Sequence, residues 1–166
     1  MRDAIRAIRE VSRQALNDLR AELALLRGEE SEEVGRALSP HLGAIPALVA
    51  SMREAGLEVR LEVAGEVGTV PEMVGTAAYR IVQESLTNVA RHAGPGARAE
   101  VRLAVAAGGL EVEVADDGRG PAGAVTAGTG LTGMRDRARA LGGDLEAGSR
   151  PEGGFRVRAS LPWRDR

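Results

Sequence analysis

The sequence predicts an α/β (α+β) two-layer sandwich, in which helices cover one face of a mixed, mainly antiparallel sheet and an amphipathic helix comes first. Several short segments alternate apolar and polar residues, as half-buried strands do. Two longer segments repeat apolar residues every three or four positions, which is typical of amphipathic helices. Because a sheet with one wet face buries the other, we expect both long helices on the same side of the sheet.

The first part of the chain is expected to precede the main domain. Residues 1–27 repeat apolar side chains at threes and fours against a charged face, which predicts one helix ending at Gly28. Such a stripe has to be buried, either against the rest of the chain or against a second copy in a homodimer, and the sequence leaves both open. Residues 28–56 predict a polar linker followed by a short helix from about Leu42 to Glu54.

The main domain is expected to span residues 57–166. Its strands are predicted at the alternating segments 57–63, 97–105, 110–114, around Leu145 and 155–161. The second and third of these are separated by Gly108-Gly109 and predict a hairpin with one wet face. Helical periodicity predicts the two long helices at 71–92 and 131–141.

Composition excludes several kinds of site. The net charge of -2 argues against a nucleic-acid surface. All 22 basic residues are arginine, which removes the P-loop and the protein-kinase active site, since both place a lysine on phosphates. The chain has no cysteine and only two histidines, which excludes disulfides, zinc ribbons, thiol nucleophiles and a histidine-built metal site.

The sequence also bears on membranes. No apolar run approaches the roughly 18 residues that cross a bilayer, and the first residues are charged rather than signal-like. We therefore expect the chain to be soluble and cytoplasmic, and leave open whether a longer parent protein is anchored in a membrane.

The first long predicted helix carries polar side chains along one edge. On a helical wheel Glu84, Asn88 and Arg91 form an arc that borders the apolar face. A carboxylate, a carboxamide and a guanidinium in a row could hold a metal and an anion. The alternative is an ordinary solvated strip in which Arg91 interacts with the C-terminal helix dipole.

Asp116 stands at the end of a predicted strand. It shares the parity of Leu110 and Val114, so a regular strand points its carboxylate into the layer between sheet and helices, where it needs a donor. Gly118 and Gly120 follow and allow the backbone to turn sharply and to approach a ligand. The alternative is an ordinary Asp-Gly turn with a solvated Asp116.

A glycine-rich loop leads into the second long helix. Gly128, Gly130 and Gly133 match the dinucleotide pattern G-x-G-x-x-G, but no strand stands directly before it, as that fingerprint requires. The remaining prediction is physical: backbone N–H groups at the start of a helix form an anion site without lysine.

Together these three motifs resemble the ATP-binding fold shared by sensor histidine kinases, type II topoisomerases, the Hsp90 chaperones and MutL-type proteins. Residues 84–92, ESLTNVARH, resemble the asparagine box of that family. Residues 116–120, DDGRG, resemble its first glycine box, and residues 128–134, GTGLTGM, its second. The resemblance covers about residues 57–162.

A finer resemblance is to the sensor kinases typified by the nitrate sensors and the DesK-type thermosensor. The segments YRIVQE at 79–84, GLTGM at 130–134 and LGG at 141–143 are similar to the sequence motifs of that subfamily. Residues 9–27 resemble the second helix of its dimerisation and phosphotransfer domain.

The resemblance implies roles for the matching residues. Asp116 would accept a hydrogen bond from the adenine amino group, and Asn88 would hold Mg²⁺ against the phosphates of ATP. Glu84 would orient or deprotonate a catalytic group, while Arg91 and His92 would reach phosphate oxygens. The loop at 121–129 would be a mobile lid. The implied ATP-binding set is completed by Gly118, Gly120, Gly128, Thr129, Gly130, Leu131, Gly133 and Met134.

The implied function is that of a histidine protein kinase catalytic domain. It would transfer the γ-phosphoryl group of ATP to a histidine on a phosphoacceptor helix, from which a response regulator receives it. That helix is missing here, since His92 belongs to the asparagine box and His41 has no acidic residue after it. Two alternatives remain, namely a free-standing nucleotide-binding regulator of the anti-sigma type and a pseudokinase. The leucine stripe within residues 1–27, a remnant of the dimerisation helix, favours the kinase.

Overall fold

The computed structural model describes residues 40–120 and 129–163. The predicted helix at 1–27, most of the linker and the loop at 121–128 lie outside the described residues. Beyond two short 3-10 turns, at Leu42–Ala44 and Val67–Thr69, the elements are α1 Ile45–Glu54, β1 Glu58–Ala64, α2 Glu72–His92, β2 Arg98–Ala106, β3 Gly109–Asp116, α3 Thr129–Ala140, β4 Asp144–Ser149 and β5 Phe155–Pro162.

The five strands form one mixed sheet in the order β1-β2-β3-β5-β4. Only β1 and β2 are parallel, and the other three neighbouring pairs are antiparallel. The predicted hairpin of β2 and β3 turns at Ala107-Gly108, where Gly108 has a φ of 73° that suits glycine. The predicted two-layer sandwich with a mainly antiparallel sheet is therefore confirmed.

The core lies between one face of this sheet and the helices. Each fully buried aliphatic side chain stabilises the fold by roughly 1.5–3 kcal/mol, and the core needs almost no aromatic residues. Its most deeply buried members are Ile45, Val49, Ile81, Val82, Leu86, Val101, Leu110, Val112, Met134 and Leu161. Both long helices contribute to this set, as the alternation of the strands predicted.

Within residues 40–120 and 129–163, the opposite face of the sheet carries partly or fully exposed charged side chains in register. One cross-strand row contains, from β1 to β4, Glu62, Arg102, Glu113, Arg158 and Glu146, so neighbours always differ in sign. Arg102 lies 3.3 Å from Glu62 and 3.6 Å from Glu113. Solvent screens such exposed pairs, so each contributes little to stability. A two-residue slip of β1 against β2 would place Arg60 opposite Arg102.

The part of the chain before β1 adds to the core. The short helix expected from about Leu42 to Glu54 is present as a 3-10 turn followed by α1. Its Ile45, Leu48 and Val49 are buried, and residues from Pro40 onward belong to one compact unit with the sheet.

The strand β1 is less buried than its alternation predicted. Val59 is buried, but Val63 is 45% exposed. The reason is that β1 is an edge strand, and α1 covers its first half, where the Arg53 guanidinium donates to the Val59 carbonyl at 2.8 Å.

Candidate functional site

The helix α2 supplies one wall of the candidate site. It begins after Pro71, and its predicted inward face is buried, with Val74, Ala78, Ile81, Val82, Ser85 and Val89. Glu84 and Asn88 are half-buried beside this face, as predicted, whereas Arg91 and His92 are exposed in the last turn. At about 100° per residue Arg91 is rotated further from the buried face than Asn88, which explains why it departs from the predicted edge.

Asp116 points inward at the end of β3. It is only 5% exposed, and its Oδ1 accepts a hydrogen bond from the Gly118 backbone N–H at 2.9 Å. The inward orientation deduced from strand parity is therefore confirmed, and the alternative of a solvated Asp-Gly turn is wrong. A carboxylate has about four acceptor positions, so this bond leaves capacity for a ligand amino group.

The loop after Asp116 is fastened to its surroundings by the backbone. Asp117 exchanges two bonds with Arg98 at the start of β2, since its Oδ1 accepts from the Arg98 N–H at 2.6 Å and its N–H donates to the Arg98 carbonyl at 3.1 Å. The Arg119 N–H donates to the Ala93 carbonyl at 3.1 Å. The first glycine motif is thus attached to the residue directly after α2.

Gly118 makes this close approach possible. A Cβ at Gly118 would lie 2.5 Å from both the Cβ and the carbonyl oxygen of Ala93, which no real side chain tolerates. The absence of a side chain therefore brings the loop of Asp116 against the end of α2 that carries Arg91 and His92.

The start of α3 lies against the same stretch of α2. A Cβ at Gly130 would overlap Oε1 of Glu84, so the backbone of the first turn passes directly beside that carboxylate. One residue along α2, the buried Ser85 hydroxyl donates to the Met134 sulfur at 3.5 Å. These contacts place the second glycine motif next to the asparagine motif.

The residues of the second glycine motif differ in how far they are buried. Leu131 and Met134 are buried, Gly130 and Gly133 are half-buried, and Thr129 is exposed. Gly128 lies outside the described residues. The first N–H groups of α3 have no acceptor within the helix, as at every helix start, and they carry its positive dipole end.

The site therefore brings complementary groups from β3 and α3 against the C-terminal half of α2. A buried carboxylate at Asp116 can accept from an amino group, and the start of α3 together with Arg91 and His92 at the end of α2 can bind an anion. The described residues contain no group of three or more His, Cys, Asp or Glu side chains that could hold a metal alone. A metal here would need oxygens from a ligand, which suits Mg²⁺ bound by a side chain together with phosphates.

Sequence reasoning missed two residues that contact Asp116 from the β4–β5 turn. The Arg150 guanidinium donates to the Asp116 main-chain carbonyl at 3.0 Å, and Gly154 is buried against the same carbonyl. Pro151 and the pair Gly153-Gly154 indicate a turn in the sequence, but neither indicates a contact with Asp116.

None of the helices within residues 40–120 and 129–163 combines the length and the apolar character that crossing a bilayer requires.

Comparison with known proteins agrees with this arrangement. A family model described as histidine kinase-, DNA gyrase B-, and HSP90-like ATPase matches residues 73–165, which include all three motifs. The sensor histidine kinase YxjM of Bacillus subtilis (strain 168) is 34% identical over 160 residues, which are 95% of this chain and 37% of that protein. The sensor histidine kinase LnrJ of the same organism is 29% identical over 91% of this chain and 36% of its own length.

Solved structures show the same fold. The histidine kinase domain of the Erythrobacter litoralis EL346 blue-light activated histidine kinase has a TM-score of 0.60 and 27% identity, over 74% of this chain and 61% of that domain. The chain spans a little over a third of the length of the two curated relatives above.

Proposed function

The chain belongs to the family of histidine kinase-, DNA gyrase B- and HSP90-like ATPases, and on this premise we propose that it binds Mg-ATP as the catalytic domain of a two-component sensor histidine kinase. The observation that carries the proposal is the buried carboxylate of Asp116, held beside the end of α2 and equipped to accept from an amino group. In the proposed reaction, the γ-phosphoryl group of ATP passes to a histidine on a phosphoacceptor helix that this chain lacks.

Asp116 would recognise the adenine. A buried carboxylate loses much of its hydration, so a ligand amino group that donates to it restores a strong, charge-assisted hydrogen bond. The adenine 6-amino group is such a donor. Gly118 and Gly120, which have no side chains, would let the base approach the loop backbone closely.

The phosphates would lie between α2 and α3. Asn88 would offer its amide oxygen to Mg²⁺, Arg91 and His92 would contact phosphate oxygens, and the amides at the start of α3 would bind the phosphate chain. Mg²⁺ supplies neutralisation of the phosphate charge when bound. The half-burial of Asn88 and the exposure of Arg91 and His92 support this division.

Glu84 would act on the phosphoacceptor. In the proposed transfer, a histidine nitrogen forms a bond to the γ-phosphorus while the bond to the bridging oxygen breaks, and ADP leaves with that electron pair. Glu84 would orient the imidazole and accept its proton. Its half-buried position beside Gly130 places a carboxylate at the start of α3, where the phosphates are proposed to bind.

Further parts of the proposal concern partners. The sequences of residues 79–84 and 130–134 support membership of the nitrate-sensor/DesK-type subfamily. A response regulator would receive the phosphoryl group from the histidine. Because the substrate is ATP, we place the domain in the cytoplasm.

We also propose that residues 1–27 pair between two copies of the chain. Sedimentation should then show a dimer that dissociates when these residues are deleted. A monomer before the deletion would contradict this proposal.

Calorimetric titration tests the nucleotide site. ATP and ADP are titrated into the unmodified chain with and without Mg²⁺, and into Asp116→Ala. We expect saturable binding that Asp116→Ala abolishes while the folded content by circular dichroism is unchanged.

A matched control is Asp144→Ala, which removes an exposed carboxylate at the start of β4 and should bind like the unmodified chain. Unchanged affinity in Asp116→Ala would refute the adenine assignment. If the unmodified chain binds neither nucleotide, a partner-binding regulator becomes the better account.

A further inference from the structure

Arg150 contacts the proposed base-recognition site, and the proposed function gives it no role. It follows β4 and begins the turn to β5, in which its N–H donates to the Gly154 carbonyl and its carbonyl accepts from the Gly153 N–H, both at 3.1 Å. The side chain is 28% exposed, which is low for an arginine in a surface turn. It therefore lies inward, toward the end of β3.

The position of this side chain matters because the sheet ends unevenly there. The ladder between β3 and β5 stops at the pair of Ala115 and Arg156, one residue before Asp116. The Asp116 main-chain carbonyl accepts instead from Nη1 of Arg150 at 3.0 Å. The Arg150 guanidinium thus donates the hydrogen bond that a backbone N–H of β5 would donate if the ladder continued.

The guanidinium is itself held in place. Nε and Nη2 of Arg150 both donate to Oε1 of Glu152, at 3.0 and 2.6 Å. A planar guanidinium fixed at two nitrogens has little freedom at the third, so its bond to Asp116 is directional.

Gly154 closes the other side of the same carbonyl. A Cβ at Gly154 would overlap the Asp116 carbonyl oxygen, and the backbone φ there is 85°, which suits glycine. The Asp116 peptide is therefore enclosed by the β4–β5 turn, while its carboxylate accepts from Gly118 on the far side.

We infer that Arg150 is a positioning residue for adenine recognition: it fixes the Asp116 backbone, and through it the direction in which the carboxylate meets the 6-amino group. This rests on the proposed function, in which Asp116 binds adenine. Arg150 itself touches no part of the nucleotide in this scheme. Its removal should therefore act only through Asp116.

The test measures affinity by calorimetry for ATP and for purine riboside triphosphate, which is ATP without the 6-amino group. Arg150→Ala should weaken ATP binding about tenfold, the usual scale for losing a hydrogen bond to a charged group. It should leave the affinity for purine riboside triphosphate unchanged. Combined with Asp116→Asn, it should cause no further loss, because two changes that act through one contact are not additive.

Two further variants keep the test decisive. Arg158→Ala removes an arginine of β5 that pairs with Glu111 on the charged face of the sheet, and ATP affinity should not change. Arg150→Lys keeps the charge but not the planar fork, so it should bind ATP with intermediate affinity, and it replaces Arg150→Ala if that variant does not fold.

The outcomes separate the two proposals. Equal weakening of both nucleotides, or a loss that adds to that of Asp116→Asn, would overturn the role of Arg150 and leave the adenine assignment standing. Unchanged ATP affinity in Asp116→Ala would overturn the adenine assignment itself, whatever Arg150 does.

Discussion

The two ends of the proposed nucleotide site are built in different ways. At the base end, Asp116 is buried and its carboxylate and its carbonyl both accept hydrogen bonds within the protein. At the phosphate end, Asn88 is half-buried and Arg91 and His92 are exposed on the last turn of one helix. The base end is thus formed by tertiary packing, whereas the side chains proposed to contact Mg²⁺ and the phosphates all come from α2.

This difference has energetic consequences. Holding a long exposed side chain such as arginine in one conformation costs up to about 2 kcal/mol of side-chain entropy, which has to be met when the ligand binds. The enclosed Asp116 has already met this cost during folding. We therefore expect substitutions at the base end to lower both stability and affinity, and those at the phosphate end to lower affinity alone.

The largest effect is expected from Gly154→Ala at the base end. Its Cβ would overlap the Asp116 carbonyl oxygen, so the turn or β3 has to move. We expect the free energy of unfolding, measured by urea denaturation, to fall by about 2–5 kcal/mol through combined backbone strain and overpacking. ATP affinity should fall as well.

Gly153→Ala is the matched control for this prediction. Gly153 also has a positive φ, of 99°, but a Cβ there meets no atom within 4 Å. It should show backbone strain alone, about 1–2 kcal/mol, with ATP affinity retained. Equal loss of stability and affinity in both variants would mean that the contact with Asp116 is irrelevant.

The next effect is expected from Asn88→Ala at the phosphate end. Loss of an oxygen ligand should weaken Mg-ATP binding by about 10- to 100-fold, as for hydrogen bonds to charged groups, and remove the dependence of binding on Mg²⁺. The thermal midpoint should hardly change, because the side chain is only half-buried. Calorimetry with and without Mg²⁺ measures the first effect and circular dichroism the second.

Asn88→Asp keeps an oxygen at this position and should retain the Mg²⁺ dependence. If Asn88→Ala retained it too, the metal would have to bind elsewhere. If Asn88→Ala instead lowered the thermal midpoint strongly, the contrast between the two ends of the site would be lost.

The smallest effect is expected from Glu152, which holds Arg150. A bond from its own backbone N–H and a hydrogen bond from Arg150 lower the pKa of the Glu152 carboxyl below its usual range. A lowered folded-state pKa contributes stability that is present above the ordinary glutamate pKa and is lost as pH falls through the folded-state value. Glu152→Gln should therefore lower the thermal midpoint slightly at neutral pH.

The difference in thermal midpoint between the two proteins should disappear in acid. Glu152 of the unmodified chain is then protonated and, like the glutamine of the variant, uncharged. Thermal midpoints of both proteins, measured from neutral pH to below the lowered folded-state pKa of Glu152, give the comparison. A difference that persists unchanged at the acid end would mean that the charge of Glu152 has no part in holding Arg150.

Local patterns were sufficient for several features of the site. Parity along one strand predicted that Asp116 points inward, because successive strand residues alternate between the two faces. Helical spacing predicted the buried face of α2 and the half-buried border with Glu84 and Asn88. It did not predict the exposure of His92, which has the spacing of the buried face but lies in the last turn.

Other features depend on contacts between distant parts of the chain. Nothing near Arg150 in the sequence indicates that it reaches Asp116, 34 residues away. The burial of α1 also escaped sequence reasoning, because its short apolar pattern gives no information on which surface it covers.

The sequence by itself therefore determined the elements, their buried faces and the three motifs, since each depends on residues within a few positions of one another. The tertiary structure decided the strand order β1-β2-β3-β5-β4 and with it the proximity of the β4–β5 turn to Asp116. It also decided that Gly130 meets Glu84 and that Gly118 meets Ala93. Such meetings follow from how whole elements pack, and packing is settled by the shared core rather than by any local pattern.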